Sequence, residues 1–214
     1  MNVVIVGKTR MMKPHLCIGG LDLEENRGLR LLQFNGLNQL ADTPFKVGDI
    51  WDIDYIPKQS VKPPHVEDVL VQRCKFMRTQ IGMQQFLRER IHIWKGSPDN
   101  LFDGLLCATE AGSGYACIKA GIPNCSVGFW LPDKDLLVTN EFGKVRYKYP
   151  TPNKIKSLAY VGVAPPKDRL PEGFLLRVSL ARWWSPSDMP QSEKRCYLQL
   201  SGWYASNEQY TMFS

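Results

Sequence analysis

The sequence predicts a mostly β (β-rich α+β) protein, organised as two β-rich halves with one connecting helix. Its 214 residues include 15 prolines and 17 glycines, which break the chain into short segments. Six tryptophans, eight tyrosines and nine phenylalanines add residues that favour strands. Only one segment has clear helical periodicity. Each half is long enough for a closed barrel of about five strands.

Four runs in the first half predict strands, at residues 2–6, 28–34, 48–56 and 66–76. The third run alternates most regularly. Trp51, Ile53 and Tyr55 fall on one face, whereas Asp52 and Asp54 fall on the other. We therefore expect the aromatic face of this strand to lie in a core and the acidic face to contact water.

Residues 79–94 predict the connecting helix, because their apolar side chains repeat at helical spacing. The stripe consists of Met83, Phe86, Leu87, Ile91 and Trp94. Gly96 and Pro98 end the pattern. A domain boundary is expected here, with a first barrel at 1–95, including the helix, and a second at 96–214.

Seven runs in the second half also predict strands, at 105–109, 126–131, 136–139, 145–149, 158–163, 173–184 and 195–204. Glycine or proline separates most of them. Short strands at this density are typical of a barrel or a sandwich.

The charge balance favours an anionic partner. The chain has 27 Lys and Arg against 21 Asp and Glu, a net charge of +6 and a pI near 9.0. Nucleic acid or a nucleotide fits this balance. The glycines at 7 and at 112–114 do not have the spacing of nucleotide-binding loops. No cofactor is therefore predicted.

The cysteines and the apolar pattern indicate the compartment. Six cysteines, at 17, 74, 107, 117, 125 and 196, include no CxxC pair and are interpreted as reduced thiols. No secretory signal and no apolar run of about 18 residues is visible. We expect a cytoplasmic protein without a membrane partner.

Residues 144–149 form an alternating basic segment within a stretch that lacks acidic residues. If they form a strand, Lys144, Arg146 and Lys148 make one basic row. The opposite row consists of Val145, Tyr147 and Tyr149. A row of cations at strand spacing can follow a phosphate backbone. The alternative is an edge strand whose lysines prevent aggregation.

The runs at 173–184 and 195–204 present matching polar and aromatic rows. In the later run, Arg195, Tyr197 and Trp203 fall on one face, with Gln199 and Ser201 between them. Tyr197 and Trp203 are candidates for base stacking. The candidate ligand anchors are Arg177, Arg182 and Arg195. The alternative is that these aromatic side chains are buried in a core.

A second candidate site lies in the first half. His15 with Cys17, and His65 with Glu67, are each two residues apart and so share a strand face. Together with Asp68 they could bind a metal ion, although His65 could equally make only local hydrogen bonds. Nearby cations suggest a local anion site instead. The second candidate site as a whole comprises Lys13, His15, Cys17, Arg30, His65 and Glu67.

Several blocks carry a family resemblance. They are KPHLCIGG (13–20), GLRLL (28–32), VGDIW (47–51), PPHVEDV (63–69), RVSLARWW (177–184) and RCYLQLSGWY (195–204). On these blocks the chain resembles the prokaryotic dual OB-domain family. The resemblance implies two OB-like barrels, recognition of nucleic acid or nucleotides, and a bacterial conflict or defence setting.

These observations predict a binding protein rather than an enzyme. The expected ligand is single-stranded nucleic acid or a nucleotide. One alternative is a metal-assisted hydrolase that uses His15, Cys17, His65, Glu67 and Asp68. The other is a protein-interaction module, with a possible protein partner docking on the three tryptophans Trp183, Trp184 and Trp203.

Overall fold

A computed structural model of the chain describes residues 1–141, 143–150, 152–187 and 191–205. The protein is mostly β, as the sequence predicts. By its internal contacts the chain forms two compact units. The first comprises 1–61, 67–91 and the stretch that begins at Tyr204, and the second comprises 62–66 and 92–203. Both units are discontinuous in sequence, unlike the ranges 1–95 and 96–214.

The first unit is built on a closed five-stranded barrel. Its elements are β1 (Asn2–Arg10), β2 (His15–Asp22), β3 (Gly28–Leu32), β4 (Gln39–Leu40), β5 (Asp49–Pro57), β6 (Asp68–Thr79) and α1 (Met83–Arg88). Strand β1 pairs antiparallel with both β2 and β5, β2 with β3, and β5 with β6. The parallel pair β3–β6 closes the ring, and β4 pairs with β2 outside it.

Strand β1, which pairs with β2 and β5, is bent by a bulge. Its pairing with β2 shifts register between Ile5 and Gly7, and such a bulge increases local bending. The barrel is also tight at Gly20, where an added Cβ would lie 2.6 Å from Val3 Cγ1. The barrel core is made of Val3, Ile5, Ile18, Leu29, Leu31, Phe45, Trp51, Ile53 and Val69. Trp51 and Ile53 are thus buried, and the face predicted for this strand is confirmed.

The second unit contains the remaining strands among the described residues. They are β7 (Ile93–Lys95), β8 (Cys107–Ala108), β9 (Gly114–Ala116), β10 (Val127–Leu131), β11 (Leu136–Glu141), β12 (Lys144–Lys148), β13 (Ser157–Tyr160), β14 (Arg169–Leu170), β15 (Leu175–Leu180) and β16 (Cys196–Tyr204). Two 3-10 turns, Pro98–Gly104 and Ile118–Ala120, join some of them.

The order of strands in the second unit repeats that of the barrel. Between its terminal strands β14 and β7, the sheet runs β11-β12-β13-β16-β15-β10, with a parallel pair between β13 and β16. Only residues 132–135 separate β10 from β11. Together, β10 and β11 correspond to β1 of the barrel. Strand β10 pairs with β15 as β1 pairs with β5, and β11 pairs with β12 as β1 pairs with β2. Two OB-like barrels therefore fit the fold, as the family resemblance implied.

The predicted helix 79–94 is wrong in extent, because α1 spans only Met83–Arg88. The apolar stripe holds for Met83 and Leu87, which are both buried. Upstream, Thr79 ends β6. Downstream, Trp94 lies in β7 and pairs in register with Trp130 of β10. Pairing with a distant strand overrides local helical periodicity in this segment.

Candidate nucleic-acid interface

The predicted basic strand exists as β12 and lies inside a sheet. It pairs with β11 on one side and β13 on the other, so the alternative of a protected edge strand is wrong. Tyr147 and Tyr149, on the row opposite the cations, are buried in the core of the second unit. On the opposite face Lys144 is exposed, whereas Arg146 is half-buried. The two rows therefore separate into a core face and an outer face.

Arg146 is held in place by groups from three neighbouring segments. Its Nε donates to Ser157 Oγ at 2.7 Å, and its Nη2 donates to Ser113 Oγ at 2.7 Å. Glu141 Oε2 lies 3.3 Å from Arg146 Nε, and Glu141 Oε1 lies 2.6 Å from Lys148 Nζ. The hydrogen bond from Lys148 lowers the pKa of Glu141 below its ordinary value. A carboxylate thus already binds two cations of the basic row.

An aromatic cluster lies around the start of β16. The guanidinium of Arg195 lies over the ring of Tyr115, 4.3 Å from its centroid. The rings of Tyr115 and Tyr197 are 5.9 Å apart, and those of Tyr197 and Trp184 are 6.1 Å apart. A hydrogen bond with Tyr197 raises the pKa of Arg195, which keeps the guanidinium charged. Trp184 is 52% exposed, so a planar side chain is open to solvent.

The hydrogen bond from Arg146 to Ser113 joins the basic row to this cluster. Ser113 and Tyr115 are two residues apart on extended backbone and so point to the same face. Gly114 between them faces the core, where an added Cβ would lie 2.9 Å from Ile155 Cδ1. One continuous surface of the second unit results. We call it the basic-aromatic surface, made of Tyr115, Lys144, Arg146, Lys148, Trp184, Arg195 and Tyr197.

Trp203 does not lie on this surface, although the alternation in the sequence predicts it there. It is 8% exposed and belongs to the core, with its ring 5.2 Å from that of Tyr160. The burial pattern of β16 explains the error. From Leu200 to Tyr204 every residue except Gly202 is buried, so both faces at the end of the strand are covered and the alternation no longer predicts exposure. Trp203 is a core residue, as the alternative interpretation held.

The predicted arginine anchors lie in different environments. Arg177 is only 4% exposed, and its Nη1 donates to Ser201 Oγ at 2.9 Å. The open polar face that the sequence suggested for β15 is therefore wrong at this residue. Arg182 is exposed in the segment between β15 and β16. Among the three anchors, Arg195 alone belongs to the basic-aromatic surface.

Sequence reasoning missed Tyr115, Ser113 and Glu141. Strand β9 has only three residues, which is too short to show periodicity. The glycines on either side of Ser113 resemble an incomplete nucleotide-binding loop and do not indicate a strand. Glu141 lies just before the acid-free stretch, and the register that places it opposite Lys144 appears only in the fold.

The second candidate site is only partly assembled in the first unit. Arg30 forms an ion pair with Asp68 on the parallel neighbour β6, and its backbone N–H donates to the carbonyl of Glu67 at 2.7 Å. His15 and Cys17 lie half-buried on β2. Lys13 is exposed in the loop before that strand. Arg30 is therefore engaged by a carboxylate of its own barrel.

His65 belongs to the second unit, where it makes long-range contacts. Its buried ring places Nε2 3.1 Å from the carbonyl oxygen of Ala181 and 3.8 Å from Cys196 Sγ. The interpretation that His65 bonds only locally is thus wrong. Within the described residues, no group of three or more His, Cys, Asp or Glu is arranged to hold a metal ion.

A five-stranded barrel with this strand order defines the first unit as an OB-type barrel, and the second unit repeats the order. The chain belongs to the family described as dual OB-containing domain, whose model matches residues 1–203. No curated protein and no solved structure matches the chain. In the part of the chain that the structure describes, no helix is long and apolar enough to cross a membrane.

Proposed function

We propose that the protein binds single-stranded nucleic acid on the basic-aromatic surface of its second unit, without catalysing a reaction. The hydrogen bond from Arg146 to Ser113 carries the proposal, because it makes the cations and the aromatic rings one surface. OB-type barrels often bind oligonucleotides on the face of their second and third strands. In the second unit these strands are β12 and β13.

The basic row supplies the electrostatic part of binding. Lys144, Arg146 and Lys148 follow each other about 7 Å apart along β12. Each phosphate that they neutralise releases counterions, so the affinity should fall with salt. Ser113 and Ser157 hold the Arg146 guanidinium in position. Less side-chain freedom is then lost when a phosphate binds.

The aromatic cluster supplies the stacking part. Trp184 is open to solvent, and Tyr197 lies beside it. Stacking one base on such a ring contributes about 1–3 kcal/mol and tolerates any base. A mononucleotide would use only one part of the surface, whereas a strand would cover both. We therefore favour a strand over a nucleotide as the ligand, in the cytoplasm that the sequence predicts and the bacterial defence setting that the family resemblance implies.

The decisive experiment measures fluorescence anisotropy with single-stranded DNA and RNA of about 20 nucleotides over a salt series. Replacing Lys144, Arg146 and Lys148 by Ala should weaken binding and flatten the slope of log affinity against log salt. The matched control replaces three cations of β6 in the first unit: Arg73, Lys75 and Arg78. Equal losses in both variants, or no binding by the native protein at low salt, would contradict the proposal.

A second pair of variants tests stacking separately from charge. Trp184→Ala removes an exposed ring and should weaken binding about ten-fold with an unchanged salt slope. Phe34→Ala removes an equally exposed ring from the first unit and should leave affinity unchanged. If Trp184→Ala binds like the native protein, the aromatic cluster has no part in recognition.

A further inference from the structure

Two of the six cysteines lie close together in the second unit. Cys107 lies in β8 and Cys117 directly follows β9, and their sulfur atoms are 3.9 Å apart. The antiparallel pairing of Cys107 with Tyr115 holds the ribbon in register. Both thiols are free. The proximity is therefore fixed by the fold and does not depend on a surface encounter.

We propose that Cys107 and Cys117 are a modification site, at which a peroxide forms a reversible disulfide. A disulfide requires a sulfur–sulfur distance of about 2.05 Å, so the two sulfurs must approach by roughly 2 Å. Rotation of the side chains with a small adjustment of the ribbon supplies such a movement, because β8 and β9 have only two and three residues. The proposal does not rest on nucleic-acid binding.

The two thiols differ in exposure to solvent. We therefore expect the more exposed one to react with the peroxide first. Cys107 is half-buried, whereas Cys117 is 2% exposed. The Cys107 thiolate attacks one peroxide oxygen, the O–O bond breaks, and a sulfenic acid and water are formed. The Cys117 thiolate then attacks the Cys107 sulfur, the S–O bond breaks, and a second water leaves. In sum, two thiols and one hydrogen peroxide give one disulfide and two waters.

The surroundings of Cys107 make the reaction slow at neutral pH. Burial and then the neighbouring Cys117 raise the pKa of the Cys107 thiol. Among the charged groups that face it, Glu193 acts in the same direction and Lys154 opposes them. Because the thiolate is the nucleophile, the oxidation rate should rise with pH beyond the range of an ordinary thiol.

The test treats the reduced, full-length protein with hydrogen peroxide at a pH of about 8.5 and then labels the remaining thiols with a maleimide in denaturant. We expect a product with four labels, from six cysteines, that lacks two hydrogens. A protease that cleaves after glutamate cuts at Glu110, between the two thiols. The two resulting peptides should remain linked through Cys107 and Cys117 until dithiothreitol is added.

The remaining cysteines serve as internal references. Cys74 is exposed, so its oxidation reports random reactivity. A Cys117→Ser variant should form no such link and should accumulate a sulfenic acid at Cys107, which dimedone traps. The proposal is overturned if Cys74 is oxidised while the two peptides stay separate, or if links to other cysteines are equally frequent.

Discussion

At the scale of single residues, the proposed function makes Glu141 the group that should set how readily the basic row accepts a phosphate. Its carboxylate bridges Arg146 and Lys148 and so occupies the position that an anionic ligand would take. A phosphate must displace this carboxylate or bind beside it. The free protein thus carries an internal competitor of its proposed ligand.

Glu141→Gln is expected to bind a single strand more tightly than the native protein. The substitution keeps the side-chain shape and removes a charge that partly screens two cations. An interaction of this exposed kind changes affinity by roughly two- to five-fold. Anisotropy at low salt measures the effect. Glu172→Gln, beyond the other end of β11, is the control and should change nothing. Weaker binding by Glu141→Gln would show that the carboxylate instead orders the site.

The strand face of a residue could be predicted from the sequence only where core and outer residues alternate regularly. The common outer face of Lys144, Arg146 and Lys148 could be predicted, because their positions alternate with those of the core residues of β12. The burial of Trp203 could not be predicted, because both faces of β16 are covered from Leu200 onward. Tyr115 and Trp184 join the surface only through strand pairings with distant partners, which local patterns do not contain.

At the scale of elements, the turn between β2 and β3 depends on one buried carboxylate. Asp22 Oδ1 accepts hydrogen bonds from the backbone N–H groups of Glu24, at 2.9 Å, and Glu25. Asp22 Oδ2 accepts one from the Tyr55 hydroxyl of β5 at 2.7 Å. Burial raises the pKa of Asp22, but these hydrogen bonds outweigh it, and the pKa lies below its ordinary value. Burial and Asp22 together raise the pKa of Tyr55 to about 12.

Replacing Asp22 by Ala should therefore destabilise the barrel by about 3 kcal/mol, because three donors lose their acceptor. Urea unfolding and amide exchange in β2 and β3 measure the loss. Tyr55→Phe is the milder comparison, since it removes the hydrogen bond to Asp22, worth about 1 kcal/mol, and an exposed one accepted from Arg27. A similar urea midpoint for Asp22→Ala and the native protein would contradict this role.

Because of Asp22, the stability of the first barrel should depend on pH. Because the folded pKa of Asp22 is depressed, its stabilising contribution is present above the unfolded value of about 3.9. That contribution is lost as the pH falls through the lower folded pKa. The stability difference between the native protein and Asp22→Ala should accordingly shrink in acid. A constant difference down to low pH would mean that the charge of Asp22 is not involved.

Elements were predictable where composition and alternation agreed, as in β5 and β12. The predicted strand runs do not include β2, although the metal-site hypothesis places His15 and Cys17 on a strand, because the adjacent glycines, Gly19 and Gly20, are typical of a turn. The fold requires a small residue at Gly20 for close packing against Val3. Helix α1 was predicted too long, because the apolar residues after it belong to β7. In each case a tertiary contact decides what the local sequence leaves open.

At the scale of the whole molecule, a short segment from the first half of the sequence is built into the second unit. Residues 62–66 belong there, and the carbonyl of Pro63 accepts a hydrogen bond from Trp183 Nε1 at 2.9 Å. His65 adds its contact to the Ala181 carbonyl. A cut between residues 95 and 96 would remove both contacts from the second unit, so its stability depends on chain that lies before the predicted boundary.

We therefore expect His65→Ala to destabilise the second unit by about 1–3 kcal/mol, through the lost hydrogen bond and a small cavity. Tryptophan fluorescence during urea unfolding measures this, because Trp51 is the only tryptophan outside that unit. Val66→Ala, at the exposed neighbouring position, is the matched control and should have little effect. A fragment that begins at residue 92 keeps β7 but lacks 62–66, and its second unit should unfold at a lower urea concentration than that of the full chain. If His65→Ala and Val66→Ala unfold alike, and the fragment is as stable as the full chain, the segment 62–66 contributes nothing to the second unit.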